Sequence, residues 1–287
     1  MPLVFARVQE YLVWIPRKHP TFTIPDSPHD HWIFWMNAAD IGARKDDPRS
    51  LDRVKIEVCI ASVADAVAAE KAGADRLELN QAIELGGLTP PVALLQQVKS
   101  AVELPVVCMV RPRGGGFHYR SDELMVMHAC AKRLLEAGAD GIVCGALNAN
   151  DGLHSTFWRD MKAMVRYREL IFHRAIDTVE SPEKVLEELI ALNTTRVLTS
   201  GGQPTVTEGI EQLQRWQSDY GSKIEILPGS GVRPDNAVKL LRQTGCQQLH
   251  GTFSTPTTDA ASPVGVDEYP AASQQVIEAV RAAIAAE

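Results

Sequence analysis

The chain has 287 residues, of which 45% are hydrophobic and 23% are charged, so it can form a large core, and a mainly disordered or fibrous protein is excluded. Its formal net charge of -7 argues against a protein that coats nucleic acid, because such proteins usually present a basic surface. The sequence contains no run of 18 apolar residues, so no membrane span is predicted.

Residues 1–52 differ in composition from the rest of the chain. They contain six of the 17 prolines and three of the five tryptophans, and they include no long segment with a regular apolar period. We therefore predict an irregular, poorly ordered N-terminal extension over residues 1–52 and a single folded domain over residues 53–287. The beginning of the extension lacks the apolar segment and the small-residue cleavage site of a secretory signal, which weighs against secretion.

The cysteines give a second indication of the compartment. Five are scattered along the chain, at Cys59, Cys108, Cys130, Cys144 and Cys246, without CxxC spacing. This pattern indicates neither a disulfide framework nor a structural zinc site. The predicted location is therefore the reducing cytoplasm, or the nucleus as well if the source is eukaryotic. All except Cys59 are expected to be small buried hydrophobic residues.

From Val54 onward, short strand-like runs alternate with amphipathic helical runs, a pattern that is typical of a parallel sheet built from βα units. The eight strand candidates are VKIEVCI, RLELN, VVCMVRP, GIVCGAL, LIFHRAID, RVLTSGG, KIEILPG and QQLHGTFS. The clearest helical runs are SVADAVAAEKAGA, SDELMVMHACAKRLLEAGA, SPEKVLEELIALN and RPDNAVKLLRQTG. Eight units predict an α/β fold, a single (β/α)8 TIM-type barrel, with an open doubly wound sheet as the alternative.

The alternation of side chains along a strand selects the residues that face the barrel axis. In the first strand the apolar residues are expected to pack against helices, which leaves Glu57 and Cys59 facing the axis. The same rule turns Glu78 and Asn80 inward from the second strand. Functional groups of such barrels gather at the carboxyl ends of the strands, so the two acids are candidate acid–base or metal-ligating groups. The alternative is that each acid only pairs with an arginine inside the barrel.

The fifth strand candidate ends with charged residues. Alternation places His173, Ala175 and Asp177 on one side and Arg174 on the other. A histidine and an aspartate near the carboxyl end of a strand can act as an acid–base pair or as metal ligands. His173 and Asp177 therefore join the two acids of the first strands as candidate catalytic or metal-binding residues.

Arginines and glycine-rich loops follow several of the strands. Barrels of this kind often hold phosphate on the loops after strands seven and eight, where glycine allows a close approach of the backbone. The candidate anion-binding residues are Arg111, Arg113, Arg174, Thr199, Ser200, Gly229 and Gly231. Alternation puts Arg111 and Arg113 on one side of the chain, and the glycines after them would let Phe117 and Tyr119 close over the barrel mouth. The alternative is that the glycines only make tight turns and that the arginines only neutralise the barrel acids.

These residues by themselves predict a barrel enzyme that acts on a small anionic or phosphorylated substrate. In this hypothesis Arg111 and Arg113 clamp the anion. The acids and His173 transfer protons or hold a divalent cation such as Mg²⁺ or Mn²⁺, which prefers oxygen ligands. The sequence leaves open which substrate is bound and whether a reaction is catalysed.

Six stretches in a fixed order resemble the CutC family of copper homeostasis proteins. They are EVCIASVADAVAAEKAGADRLELN, GGLTP, RPRGGGFHY, FHRAID, RVLTSGG and PGSGV, and they span about residues 54–255. The resemblance implies a TIM-type barrel, a cytosolic and often oligomeric protein, and a part in copper tolerance through Cu(I) binding. It also implies Cys59 as the first soft ligand for Cu(I), with His173 as a helper.

One position departs from the pattern of the family. The family often shows ELC at the end of the second strand, where this chain has Asn80 in place of the cysteine. Cu(I) prefers thiolate and thioether ligands, so Cys59 needs a further ligand such as Met109, Cys108 or His173. Alternation predicts that Cys108 and Met109 face opposite ways. The resemblance thus predicts a copper homeostasis protein, and the residues alone predict an enzyme as the alternative.

Overall fold

The computed structural model describes residues 6–8, 11–13, 54–258 and 268–286. The chain divides into two units, Met1–Asp46 and Asp47–Glu287. In the first unit, the short strands Ala6–Val8 and Tyr11–Val13 pair in antiparallel fashion. Apart from these strands, the extension predicted over residues 1–52 lies outside the described residues, and its poor order stays a prediction.

The second unit contains the eight-stranded parallel sheet that the alternating pattern predicts. Its strands are β1 (Lys55–Ile60), β2 (Arg76–Leu79), β3 (Val106–Met109), β4 (Gly141–Cys144), β5 (Glu169–Phe172), β6 (Arg196–Thr199), β7 (Glu225–Pro228) and β8 (Gln248–Gly251). β8 pairs with β1, and the other strands follow in chain order to β7. Gln248 Nε2 of β8 also donates to Ile226 O of β7 at 3.2 Å. This order confirms the TIM-type barrel and excludes the open doubly wound sheet, in which the last strand does not return to the first.

Helices cover the outside of the sheet. They are α1 (Val63–Lys71), α2 (Val92–Ala101), α3 (Ser121–Glu136), α4 (Ser155–Val165), α5 (Pro182–Ala191), α6 (Ile210–Tyr220), α7 (Ala237–Thr244) and α8 (Gln274–Ala285). Ser62 caps α1, since its side chain accepts a hydrogen bond from Asp65 N. An antiparallel hairpin, β9 (Ser254–Thr258) and β10 (Glu268–Ala272), separates β8 from α8 in the chain. Within the described ranges, no helix combines the length and the hydrophobicity that crossing a lipid bilayer requires.

Apolar side chains fill two regions, one on each side of the strands. The larger core lies between the strands and the helices and includes Ile56 and Trp158. A small cluster inside the barrel contains Val107, Met109, Val143 and Ile171. Met109 belongs to the inner cluster and Cys108 to the outer core, which confirms that they face opposite ways.

The fifth strand is shorter than its sequence pattern predicts. β5 ends at Phe172, and Arg174–Thr178 form a 3₁₀ helix. The turn is stabilised by His173 Nδ1, which accepts a hydrogen bond from Ala175 N at 3.2 Å. The prediction that His173, Ala175 and Asp177 share one face of a strand is therefore wrong, because the backbone leaves the extended conformation after His173.

Candidate functional site

A cavity of about 240 Å³ opens at the carboxyl ends of the barrel strands, where the functional groups of this fold gather. Side chains from the strands and from the loops that follow them line it together. Of the residues that the sequence singled out as candidates, the cavity brings together Cys59, Glu78, Arg111, His173, Arg174 and Gly231. Asn80 and Met109 also line it.

Three possible metal ligands converge in this cavity. Cys59, Glu78 and His250 each place one ligand atom within 4.8 Å of the other two. The strand register explains the convergence, because Cys59 lies opposite Glu78 and Glu57 lies opposite His250. The sequence reasoning missed His250, although its strand was predicted. Applying the alternation rule to QQLHGTFS would have found it, since Gln248 and His250 share one side.

The Cys59 thiol holds its proton strongly. Burial raises its pKa well above the usual range, and the negative charges of Glu78 and Glu57 raise it further. Asn80 Nδ2 lies 3.2 Å from Cys59 Sγ and favours the thiolate, but this single hydrogen bond does not offset burial. Cys59 is therefore a neutral thiol that a metal ion must deprotonate in order to bind.

Glu78 and Asn80 are tied together at the end of β2. Asn80 Nδ2 donates to Glu78 Oε1 at 2.6 Å. Burial raises the pKa of Glu78, and this effect exceeds the opposing attraction of His250. Among the described residues, Glu78 Oε2 and Asn80 Oδ1 have no hydrogen-bond partner although both atoms are buried. Two polar atoms of this strand end are thus available to a ligand.

Glu57 lies below the cavity, and basic side chains contact both of its carboxylate oxygens. Arg76 donates to it through Nε, Arg196 Nε lies 3.6 Å from its Oε2, and His250 Nδ1 lies 2.8 Å from its Oε1. Burial would raise the pKa of Glu57, but Arg76, His250 and Arg196 together hold it well below the usual range. For Glu57 the geometry favours the structural alternative, in which the acid pairs with barrel arginines. Those arginines come from β2 and β6 rather than from the RPR loop.

The contact between Glu57 and His250 affects the protonation of the His250 ring. Burial lowers the pKa of His250, but the charge of Glu78 and the hydrogen bond to Glu57 outweigh burial and raise it. With Nδ1 directed at Glu57, the remaining ring nitrogen, Nε2, is the one available to the cavity.

His173 is neutral and presents a donor to the cavity. Burial lowers its pKa to about 3, with a further contribution from the Arg111 charge. Because Nδ1 accepts the hydrogen bond of Ala175 N, the single ring proton resides on Nε2. His173 Nε2 is buried and has no partner within the part of the chain that the structure describes. This tautomer favours hydrogen-bond donation to a ligand over the predicted help in metal binding.

Arg111 is fixed by backbone carbonyl groups. Its Nη1 donates to Leu85 O at 3.0 Å and to Gly87 O at 3.3 Å, and its Nη2 donates to Gly115 O at 2.6 Å. In the described ranges, Arg111 Nε is buried without a partner. The Phe117 ring lies 5.1 Å from Arg111 Cζ and 4.7 Å from the His173 ring. Phe117 therefore connects the two donors.

Arg113 does not line the cavity. Its Nε pairs with Glu123 Oε1, and its Nη2 donates to His118 O at 2.8 Å. The alternation that put Arg111 and Arg113 on one side fails because β3 ends at Met109 and the RPR segment is a loop. The pair that the sequence predicts as one clamp is thus separated.

The remaining predicted residues support the loop after β6. Asp177 accepts hydrogen bonds from Thr199 Oγ1 at 2.5 Å, from Ser200 N at 3.1 Å and from Arg174 Nε at 2.9 Å. Asp177, Thr199 and Ser200 are therefore engaged with one another beside the cavity. At Gly229 a Cβ atom would lie 2.6 Å from Leu198 Cδ1, so glycine permits the close packing of β7 and β6.

The comparisons with known proteins cover most of the barrel. The family model of CutC matches residues 54–255. A CutC family protein from Treponema denticola is 44% identical over 200 residues, which cover 70% of this chain and 81% of the relative. A human copper homeostasis protein cutC homolog is 39% identical over 195 residues, which cover 68% of this chain and 71% of the relative. A crystal structure of CutC from Streptococcus agalactiae has a TM-score of 0.66 at 29% identity, and the match covers 69% of this chain and 98% of that chain.

Proposed function

The chain belongs to the CutC family, and from this premise we propose that it binds Cu(I) in the barrel cavity as part of copper homeostasis. The ligands are Cys59 Sγ and the ring nitrogen of His250 that faces the cavity. The observation that carries the proposal is the convergence of Cys59 and His250, whose ligand atoms lie within 4.8 Å of each other. A single ion between them can contact both.

The donor set suits a soft ion. Cu(I) prefers thiolate and thioether sulfur and accepts imidazole nitrogen. Met109, whose thioether is such a donor, lines the same cavity. The human relative carries copper homeostasis in its name, which supports copper as the ion. His250 thus supplies the further ligand that Cys59 needs because Asn80 stands in place of the second cysteine of the family pattern.

Glu57 supports this proposal from beneath the site. Its Oε1 lies 2.8 Å from His250 Nδ1, an arrangement of carboxylate and histidine that orients metal-binding rings and makes them stronger ligands. Because Arg76 and Arg196 hold Glu57 ionised, the contact persists across the neutral pH range. The acid that the sequence predicts as a ligand thus acts through His250.

A Cu(I) titration under anaerobic conditions with a competing chelator tests the proposal. We expect Cys59→Ala to weaken Cu(I) binding by at least about 100-fold, since it removes the thiolate, and His250→Gln to weaken it by at least about tenfold. Cys130→Ala is the matched control, because Cys130 lies on α3 outside the cavity and its loss leaves the ligand set intact. An unchanged affinity in Cys59→Ala would show that Cu(I) does not bind here.

Zinc is the necessary competitor in the same experiment. Cysteine, histidine and carboxylate side chains are also the usual ligands of Zn²⁺. The cluster contains all three types, since Glu78 accompanies the soft pair. We expect Cu(I) to displace Zn²⁺ from the wild-type protein, and retention of Zn²⁺ against equimolar Cu(I) would reject copper as the ion of this site.

The proposed compartment is the cytosol. All five cysteines lie in the described residues as free thiols, and four of them are buried. Such thiols are typical of proteins from reducing compartments. Detection of the tagged protein in a secreted or membrane fraction would contradict this location.

A second candidate function is catalysis on a small anionic substrate. Glu78 favours it, because Glu78 lines the cavity and its pKa is raised, and because its Oε2 has no partner in the described part of the chain. A raised pKa lets a carboxyl group hold its proton more readily, as a general acid requires. The acids predicted to hold Mg²⁺ do not converge, since Glu57 and Asp177 are engaged outside the cavity. Proton transfer by Glu78 is therefore the form of catalysis that the geometry supports best.

A screen of small anionic metabolites, including phosphorylated ones, tests this second candidate. The expected result is turnover by the wild type that Glu78→Gln reduces by at least about 100-fold, a typical effect of losing an acid–base group. Turnover that is equal in Glu78→Gln and the wild type would remove Glu78 from the mechanism.

A further inference from the structure

We infer that the cavity contains a carboxylate-binding subsite, formed by Arg111 Nε and His173 Nε2, that takes a small organic monocarboxylate. The subsite is separate from the Cys59–His250 pair and does not depend on copper. This inference specifies which class of ligand the second candidate function would use. It rests on that proposed function only in assuming that a small anion enters the cavity.

Two buried donors without partners carry the inference. Arg111 is 6% exposed and His173 is 3% exposed, and both line the cavity. Within the described residues, Arg111 Nε and His173 Nε2 make no hydrogen bond. Buried N–H groups are rarely left unsatisfied in folded proteins, because they lose their hydrogen bonds to water. Two such groups from neighbouring regions of one cavity indicate a ligand that accepts hydrogen bonds.

The geometry of the two donors matches a carboxylate. Three carbonyl oxygens accept three of the four Nη–H groups of Arg111, which fixes the guanidinium. Its Nε–H is a donor that has no partner among the described residues. His173 presents only its Nε2–H, because Nδ1 is engaged by Ala175 N. The Phe117 ring contacts both side chains, 4.7 Å from the His173 ring and 5.1 Å from Arg111 Cζ. One donor is therefore available for each oxygen of a carboxylate.

The charge balance indicates a monoanion. Among the described residues, no carboxylate lies within ion-pair distance of Arg111, whereas Arg174 is paired with Asp177 at 2.9 Å. His173 is neutral at ordinary pH, since its pKa is about 3. The subsite thus holds one unbalanced positive charge, which a monocarboxylate neutralises. A phosphate dianion would leave a buried negative charge in excess.

Apolar side chains next to the donors indicate an organic ligand. Phe117, Met109 and Leu198 line the same cavity. A ligand with a short apolar body beside its carboxylate would cover these side chains and exclude water from the two hydrogen bonds. Inorganic anions offer no such contact.

Isothermal titration of the full-length protein with propionate tests the subsite, with propionamide as the neutral molecule of the same shape. We expect propionate to bind and propionamide to bind at least about tenfold more weakly, because hydrogen bonds to a charged group contribute about 1.5–3 kcal/mol and each 1.4 kcal/mol is tenfold. Arg111→Gln and His173→Asn are each expected to weaken propionate at least about tenfold. Arg120→Gln, an exposed arginine of the same loop that pairs with Asp122, is the matched control.

The possible results separate this inference from the proposed functions. Equal binding of propionate and propionamide, or binding of inorganic phosphate without propionate, would overturn the carboxylate subsite. The absence of binding by all three probes would overturn it as well, while the Cu(I) titration and the turnover screen would still decide the two functions. If Arg111→Gln fails to fold because it loses its carbonyl contacts, His173→Asn decides, since Asn can keep the acceptor for Ala175 N.

Discussion

The two ends of the barrel interior contain similar residues in opposite states. Toward the amino ends of the strands, Glu57, Arg76 and Arg196 are almost fully buried, and each takes part in an ion pair. Toward the carboxyl ends, four buried atoms have no partner in the described residues, namely Glu78 Oε2, Asn80 Oδ1, Arg111 Nε and His173 Nε2. Buried charge is therefore not by itself a sign of function here. Among the residues that the structure describes, Arg196 Nε also makes no hydrogen bond, but it lies 3.6 Å from Glu57 Oε2 and Arg196 does not line the cavity. Unpaired polar atoms of cavity-lining residues therefore distinguish the functional end from the structural one.

The largest expected effect comes from breaking the paired end. Glu57→Gln removes the buried carboxylate that pairs with both Arg76 and Arg196. Among the described residues Arg76 then loses its counterion, whereas Arg196 keeps its ion pairs with Glu169 and Glu225. Loss of one partner from a buried pair typically costs about 3–5 kcal/mol. We expect the free energy of unfolding to fall by about that amount in urea denaturation.

A control separates this effect from the mere loss of a charge. Asp235→Asn removes an acid from an exposed pair with Arg233 on the surface, where water replaces the interaction. Its stability should match that of the wild type. A Glu57→Gln variant as stable as Asp235→Asn would show that the lower barrel is not held by its ion pairs.

The pH dependence of Cu(I) binding probes the cavity end, where His250 also contacts Glu57 of the paired end. Cys59 and His250 have raised pKa values and must each lose a proton to bind the ion. Cu(I) affinity should therefore rise with pH, by up to about 100-fold per pH unit while both groups hold their protons. In His250→Gln only Cys59 releases a proton, and the dependence should fall to about tenfold per pH unit. The same slope in both proteins would remove His250 from the ligand set.

His173 gives a smaller pH effect of the same sign, because the stability also rises with pH. Its pKa is about 3 in the folded protein, whereas an unperturbed histidine has a pKa of 6.5, so the unfolded chain binds a proton first as the pH falls. Stability is thus unaffected above pH 6.5 and decreases below it, by about 2 kcal/mol at pH 5. His173→Asn lacks this titration, so its unfolding free energy should fall less between about pH 7 and pH 5. Equal losses in the two proteins would mean that His173 is not held neutral.

The sequence predicted the barrel well because the fold depends on repeated local patterns. Seven of the eight strands lie within the predicted runs, and β5 begins one residue before its run, at Glu169. Ser62 caps the helix that was expected to begin there. Alternation also identified Cys59 and Glu78 as inward-facing, because β1 and β2 remain extended through these positions. Periodicity suffices wherever the backbone stays regular.

The site was predicted less well because its loops are irregular. His173 begins a 3₁₀ turn and Arg113 lies beyond the end of β3, so alternation no longer describes where their neighbours point. The partners of Glu57 are another example. Arg196 lies far from Glu57 in the sequence, and no periodic pattern along the chain indicates that the two residues are in contact. Such pairings depend on the strand order and stagger of the closed barrel.

The smallest expected effect is the change in propionate affinity when Arg113, rather than Arg111, is replaced in the RPR segment. Arg111 is buried in the cavity, whereas Arg113 pairs with Glu123 and lies over the Tyr119 ring, 5.0 Å from its centroid. Arg113→Gln should therefore change propionate affinity by less than about twofold, because the exposed guanidinium contributes little through solvent. The measurement is the titration used for Arg111→Gln. A tenfold loss in Arg113→Gln would mean that the loop closes when ligand binds and that both arginines clamp the anion, as the sequence alone predicted.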